Sequence, residues 1–135
     1  MHDTKVGIAI RSDLADWQKL NVTAFLATGI AASAPESIGE VYEDASGNTY
    51  LPLISQPVVV YDASLDHLMR TKGRALSRGV QPAIYTEGMF KTFNDNDNRA
   101  VVKTLTDDTF DIVGIAIRAD RKTFDKIMHG LKLHA

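Results

Sequence analysis

The sequence has 135 residues, of which 44% are hydrophobic, so it is long enough to fold as a single domain, residues 1–135, around one hydrophobic core. Its formal net charge of −2 argues against a protein that functions mainly by binding nucleic-acid phosphates, although it allows a local basic patch. The lack of cysteine excludes disulfides, thiolate nucleophiles and cysteine-based metal sites.

Membrane insertion and metal binding are also not expected from the sequence. No apolar run is long enough to span a membrane, and the first residues do not resemble a signal peptide. The four histidines have no metal-ligand spacing. We therefore expect a cytoplasmic, bacterial-type protein without a metal or a cofactor.

The chain begins with a predicted strand and a long helix. Residues 5–11 alternate around glycine and alanine, which is typical of a buried strand. Asp13 and Asp16 are candidate caps for a helix over about residues 17–33. Its apolar positions at helical spacing are Leu20, Ala24, Ala27 and Ala31, with Trp17 and Phe25 alongside.

The middle of the chain predicts a hairpin, a strand and a second helix. Residues 39–54 form the hairpin, since a glycine and an asparagine between its arms tolerate the positive φ of a turn. The apolar run VVVYDA at 58–63 is a strand, and Ser64 caps a helix over about residues 65–78. The apolar face of that helix comprises Leu65, Leu68, Met69 and Leu76.

The last third of the chain predicts two more strands and a final helix. Residues 82–85 and 110–118 are the strands, and Asp120 caps the helix. Residues 88–110 show no clear pattern. Within them, NDNDN at 94–98 lacks the glycine and glutamate of a calcium loop, which favours a helix cap or a mobile loop.

An eight-residue sequence occurs near the start of the chain and again, almost unchanged, near its end. VGIAIRSD at 6–13 returns as VGIAIRAD at 113–120. In each copy valine and isoleucine alternate with glycine, alanine and arginine, so each strand has one bulky face and one small face. The small faces indicate close packing of helices on two central strands, or the close approach of another chain or a ligand.

The alternation of strands and helices predicts an α/β fold with a sheet covered on both faces. The order of elements and several motifs also resemble the type II peptidyl-tRNA hydrolases, in particular an uncharacterised bacterial branch that shares their fold. The motifs are KVGIAIRSDL (5–14), QPVVVYDAS (56–64), GVQPAIYTEG (79–88) and VGIAIRADRKTFDKIMHGLKLH (113–134).

The resemblance implies a three-layer α/β/α domain with a four-stranded mixed sheet, to which this chain adds an inserted β-hairpin. The last strand would run antiparallel between the first and the third. The two VGIAIR strands would then be paired neighbours rather than two separate sites. The resemblance also implies a homodimer.

Three catalytic residues are implied by the same resemblance. In those hydrolases a lysine near the start of the first helix is followed four residues later by a glutamine, and an aspartate follows the third strand. The matching positions here are Lys19, Thr23 and Glu87. A lysine in the first helical turn is disfavoured by the helix dipole, which points to a functional role unless Asp13 and Asp16 neutralise it.

The predicted function is hydrolysis, or binding, of a small ester or another carbonyl- or phosphate-bearing ligand between Lys19 and Glu87. The predicted ligand-binding residues are Arg11, Asp13, Thr86 and Thr92. The alternative is a non-catalytic dimeric module that binds a small ligand.

A nucleic-acid partner is the other open alternative. Arg70, Arg74 and Arg78 recur every four residues on the second helix, where like charges repel. A tRNA or phosphate contact would explain them, and so would an ordinary solvated face.

Overall fold

A computed structural model describes residues 2–135 as a mixed α/β fold with four helices and seven strands. The helices are α1 (Asp16–Ser33), α2 (Leu65–Ser77), α3 (Asp95–Lys103) and α4 (Arg121–Ile127). The strands are β1 (Thr4–Arg11), β2 (Tyr42–Glu43), β3 (Thr49–Tyr50), β4 (Val58–Ala63), β5 (Ala83–Thr86), β6 (Ile112–Asp120) and β7 (Lys132–Leu133). Short 3₁₀ turns lie at Pro35–Ser37 and Glu87–Lys91.

The main sheet has five strands in the order β5-β6-β1-β4-β7. β4 runs parallel to β1, and the other neighbours are antiparallel. The predicted position of the last long strand, antiparallel between the first and third, is confirmed. The predicted count of four strands is wrong, because β7 adds a fifth beside Tyr61 and Asp62. Two residues after a turn at Gly130 (φ 86°) are too few to show a strand pattern in the sequence.

The repeated VGIAIR strands are direct neighbours, with Gly7 opposite Ile117 and Ile10 opposite Gly114. Residues opposite each other in a sheet share a face. Each face of this pair therefore combines the bulky row of one strand with the small row of the other. The repeat forms one complementary strand pair in the centre of the sheet.

Glycine in this pair lets helices approach both faces of the sheet. A Cβ atom on Gly114 would lie 2.6 Å from Val22 Cγ1 of α1, and one on Gly7 would lie 2.6 Å from Phe124 Cζ of α4. Such distances are well inside van der Waals contact. The packing interpretation of the repeat is therefore confirmed at both glycines.

The buried side of α1 differs from the predicted one. Val22, Leu26 and Ile30 are buried against the sheet, whereas Trp17, Leu20 and Phe25 are 62%, 72% and 51% exposed. Apolar residues occur on several sides of this helix, so helical spacing alone does not select the side that meets the sheet.

Helix capping follows the sequence at three helices and departs from it at one. Ser64, Asn94 and Asp120 each accept a hydrogen bond from a backbone N–H in the first turn of α2, α3 and α4. The expected helix-capping role of the NDNDN segment is thus confirmed. At α1 the N-cap residue is Ala15, so neither predicted aspartate caps the helix. The Gln18 side chain accepts a hydrogen bond from Ala15 N at 3.0 Å.

The predicted hairpin is present as a separate pair formed by β2 and β3, with Tyr42 opposite Tyr50. Asp44 holds its turn: Oδ1 accepts from Ser46 N at 2.9 Å and from Asn48 N at 3.0 Å, while Oδ2 accepts from Tyr50 Oη at 2.7 Å. The Tyr50 hydrogen bond, with those from the backbone and side chain of Asn48, lowers the pKa of Asp44 to about 2.

Across residues 2–135, none of the helices combines the length and the apolar character that crossing a membrane requires.

Replacement of Gly114 by alanine is expected to destabilise the fold by about 1–3 kcal/mol, because the new methyl group would overlap Val22 and Leu26. Urea denaturation measures this change in the free energy of unfolding. Gly73→Ala is the control. A Cβ atom on this residue of α2 would meet no atom within 4 Å, so the substitution should stabilise the fold by about 0.5–1 kcal/mol. Equal effects of the two substitutions would contradict the packing account.

The Asp44 carboxyl is expected to titrate near pH 2 in a ¹³C NMR experiment. The pKa of Asp44 is lower in the folded hairpin than in the unfolded chain. The ionised carboxylate therefore stabilises the hairpin fully above about pH 4, and this stabilisation is lost as the pH falls through about 2. Tyr50→Phe should move the midpoint towards the ordinary value of 3.8, whereas Tyr42→Phe should leave it in place. If Tyr50→Phe leaves the Asp44 titration midpoint unchanged, the Tyr50 hydrogen bond is not the cause of the lowered pKa.

Candidate functional site

Three of the predicted site residues meet where β1 and β5 end. Arg11 is the last residue of β1, and its Nε lies 2.6 Å from Asp13 Oδ1. Its guanidinium also lies 3.5 Å from Oε2 of Glu87, which follows β5. The structure therefore joins Arg11, Asp13 and Glu87 through one cation.

The Arg11 side chain is only 13% exposed. Burial by itself lowers the pKa of the guanidinium, but Asp13 and Glu87 outweigh it and the net pKa is raised. Arg11 is therefore a permanent positive charge. Glu87, which is 55% exposed, is its second ion-pair partner.

Lys19 and Thr23 point to other partners. Lys19 Nζ lies 3.2 Å from His134 Nε2 near the end of the chain, and Thr23 Oγ1 donates to the Lys19 carbonyl at 2.7 Å. Among the ion pairs of residues 2–135, none joins Lys19 to Glu87. The two members of the predicted lysine–carboxylate pair thus have different partners: Lys19 contacts His134, and Glu87 contacts Arg11.

The two predicted threonines differ in accessibility. Thr86 is fully buried, so its hydroxyl does not face solvent. Thr92 is half-buried, and its Oγ1 donates to the Met89 carbonyl at 2.9 Å and also contacts Asn98 Oδ1. Thr92 lines a groove beside β5, and Thr86 does not line it.

This aromatic groove has a volume of about 840 Å³ and lies between α1 and residues 89–103, with β5 at its base. Its aromatic side chains contact one another in sequence: Trp17 to Phe90 at 6.0 Å, Phe90 to Tyr85 at 5.2 Å, and Tyr85 to Phe25 at 5.8 Å between ring centroids. Burial raises the pKa of the Tyr85 hydroxyl, so this ring stays neutral at physiological pH.

Polar side chains border the aromatic groove on two sides. Asn21 lies on α1, and Asn98, Arg99 and Lys103 lie on α3. Arg99 is paired with Asp95 at 2.6 Å. The groove therefore combines apolar walls with amide groups that can both donate and accept hydrogen bonds.

Sequence reasoning missed the aromatic groove for two reasons. Helical spacing predicts Trp17 and Phe25 alongside the apolar positions of α1, and residues 88–110 have no clear pattern. One signal was available: Met89, Phe90 and Phe93 are three bulky apolar residues within five positions. They follow a strand end, where α/β proteins place their ligands.

Metal ligation has no support in the geometry. Within residues 2–135, no group of three or more histidine, aspartate or glutamate side chains could hold a metal ion.

Fold and groove together define a mixed α/β protein with an aromatic groove beside the edge strand of its sheet. The chain belongs to DUF2000, a family of proteins of unknown function, which it matches over residues 4–135. It is similar to the solved structure of a protein of unknown function from Agrobacterium tumefaciens strain C58. The identity is 50%, the TM-score is 0.98, and 100% of each chain is covered. Neither match concerns a peptidyl-tRNA hydrolase, and no curated protein matches the chain.

Proposed function

We propose that this protein binds an apolar, ring-bearing small molecule in the aromatic groove. The observation that carries the proposal is the continuous row of four aromatic rings from Trp17 to Phe25 along a groove of about 840 Å³. Small-molecule sites typically measure about 300–1,000 Å³, with mostly apolar walls and a few polar groups. The groove has both properties.

Exposure of the aromatic side chains supports the same function. Trp17 and Phe25 are more than half exposed, and Phe93 at the groove is 99% exposed. Exposed apolar side chains grouped in a concave surface are typical of binding sites. A flat ring between these side chains would remove them from water, and the amides of Asn21 and Asn98 would orient a polar substituent.

Binding is better supported than catalysis. A lysine and a carboxylate acting together on one carbonyl must approach the same reacting atom. Here Lys19 contacts His134, and Glu87 contacts Arg11. This arrangement favours the non-catalytic binding module over the hydrolase.

The binding proposal is testable through Trp17, the only tryptophan of the chain, which lines the aromatic groove. We expect 1-anilinonaphthalene-8-sulfonate, an aromatic dye with one polar group, to quench Trp17 emission with saturation. Phe90→Ala should raise the Kd for the dye about 5- to 10-fold, because the contact between the dye and the Phe90 ring is lost.

Leu20→Ala is the matched control, since Leu20 is 72% exposed on the same helix but does not line the groove. It should leave the Kd unchanged. Circular dichroism should show both variants folded. A dye affinity that is unaffected by Phe90→Ala, or lowered equally by Leu20→Ala, would reject the groove as the binding site.

A second candidate function is hydrolysis of peptidyl-tRNA or another ester, on a homodimeric three-layer fold of the type II peptidyl-tRNA hydrolase kind. The position of β6, antiparallel between β1 and β5, is the one that the resemblance implies. Glu87 at the end of β5 supports it further, although its link to Arg11 would have to open.

Peptidyl-tRNA turnover by the purified protein tests this candidate. If the activity exists, Lys19→Ala and Glu87→Gln should each reduce turnover at least about 100-fold, the usual contribution of a general acid–base group. Leu20→Ala, on an exposed position of α1 outside the aromatic groove, is the control. Turnover no faster than spontaneous hydrolysis would eliminate the hydrolase and leave the binding function.

A further inference from the structure

A second groove, on the other side of the sheet, has a different chemical character. It lies between α2 and α4 and measures about 420 Å³. α4 packs on the Gly7 side of the sheet, whereas α1 and the aromatic groove lie on the Gly114 side. We call it the basic groove, and it is lined by Arg74, Arg78, Lys122, Asp125, Lys126 and His129.

The cations of the basic groove outnumber the carboxylates that line it. Among the ion pairs of residues 2–135, none involves Arg74, Arg78, Lys122 or Lys126. The carboxylate that lines the groove, Asp125, is bound to Lys5 at 2.7 Å. Four cations therefore share one concave surface on a protein whose net charge is −2.

Local helix electrostatics accounts for only part of this charge. Arg74 and Arg78 lie near the C-terminal end of α2, where the dipole favours cations. Lys122 lies in the first turn of α4, where the dipole disfavours a cation. A ligand with negative charge would offset the repulsion among these side chains.

One groove cation is fixed in place. Arg74 is half-buried, and its Nη1 donates to the His129 carbonyl at 2.9 Å, which ties α2 to the segment after α4. Its guanidinium is therefore positioned before any ligand arrives, which lowers the entropic cost of binding.

We propose that the basic groove binds a compact polyanion carrying two or three neighbouring phosphate groups. Arginine and lysine are the usual phosphate ligands, and the groove brings two of each together. Phenylalanine, tyrosine and tryptophan do not line it, so it offers no platform for stacking nucleic-acid bases. Its small volume also favours a compact ligand over a long polymer.

Calorimetric titration with inorganic tripolyphosphate in low salt tests the proposal. We expect saturable binding that weakens as salt is raised. The double variant Arg78→Gln/Lys126→Gln should raise the Kd about 10-fold, since two charge-assisted hydrogen bonds are lost. Arg74 is left intact because of its contact with His129.

The double variant Arg70→Gln/Lys91→Gln is the matched control. It removes the same charge from exposed positions outside the basic groove, and its Kd should change less than about 2-fold. No binding of tripolyphosphate, or equal losses in the two double variants, would overturn the proposal. Tighter binding of a single-stranded RNA oligonucleotide, lost in the groove variant, would replace it with a nucleic-acid site. The dye experiment on the aromatic groove is independent of all these results.

Discussion

Helices pack closely on both sides of the β1–β6 pair, and this packing positions the other elements of the fold. Gly114 admits Val22 and Leu26 of α1, and Gly7 admits Phe124 of α4. Because the two strands are antiparallel, small residues of one strand lie beside isoleucines of the other. Each face therefore stays well packed at the positions that lack a side chain.

The aromatic groove is a consequence of how α1 sits on this pair. The helix buries a narrow stripe at Val22, Leu26 and Ile30, which leaves the aromatic side chains of Trp17 and Phe25 beside it. The turn after β5 then brings Met89 and Phe90 opposite them. The groove is thus formed by two segments that are far apart in sequence and meet only because β5 lies at the edge of the sheet.

Electrostatics separates the two sides of the molecule. At the ends of β1 and β5, Arg11 is paired with both Asp13 and Glu87, so its positive charge is compensated locally. Between α2 and α4 the cations have no carboxylate partners within residues 2–135. The two proposed ligands, one apolar and one anionic, would therefore bind on opposite faces of the sheet without competing.

Local propensity and hydrogen bonding fix the α/β class, the order of the long elements, the hairpin and the caps at Ser64 and Asp120, so these features can be predicted from the sequence. It also identified the VGIAIR repeat as a packing motif. Three features are seen only in the folded protein: the buried side of α1, the addition of β7 to the sheet, and the different partners of Lys19 and Glu87. Those outcomes depend on contacts between residues distant in the chain, and a helical or strand period carries no information about such contacts.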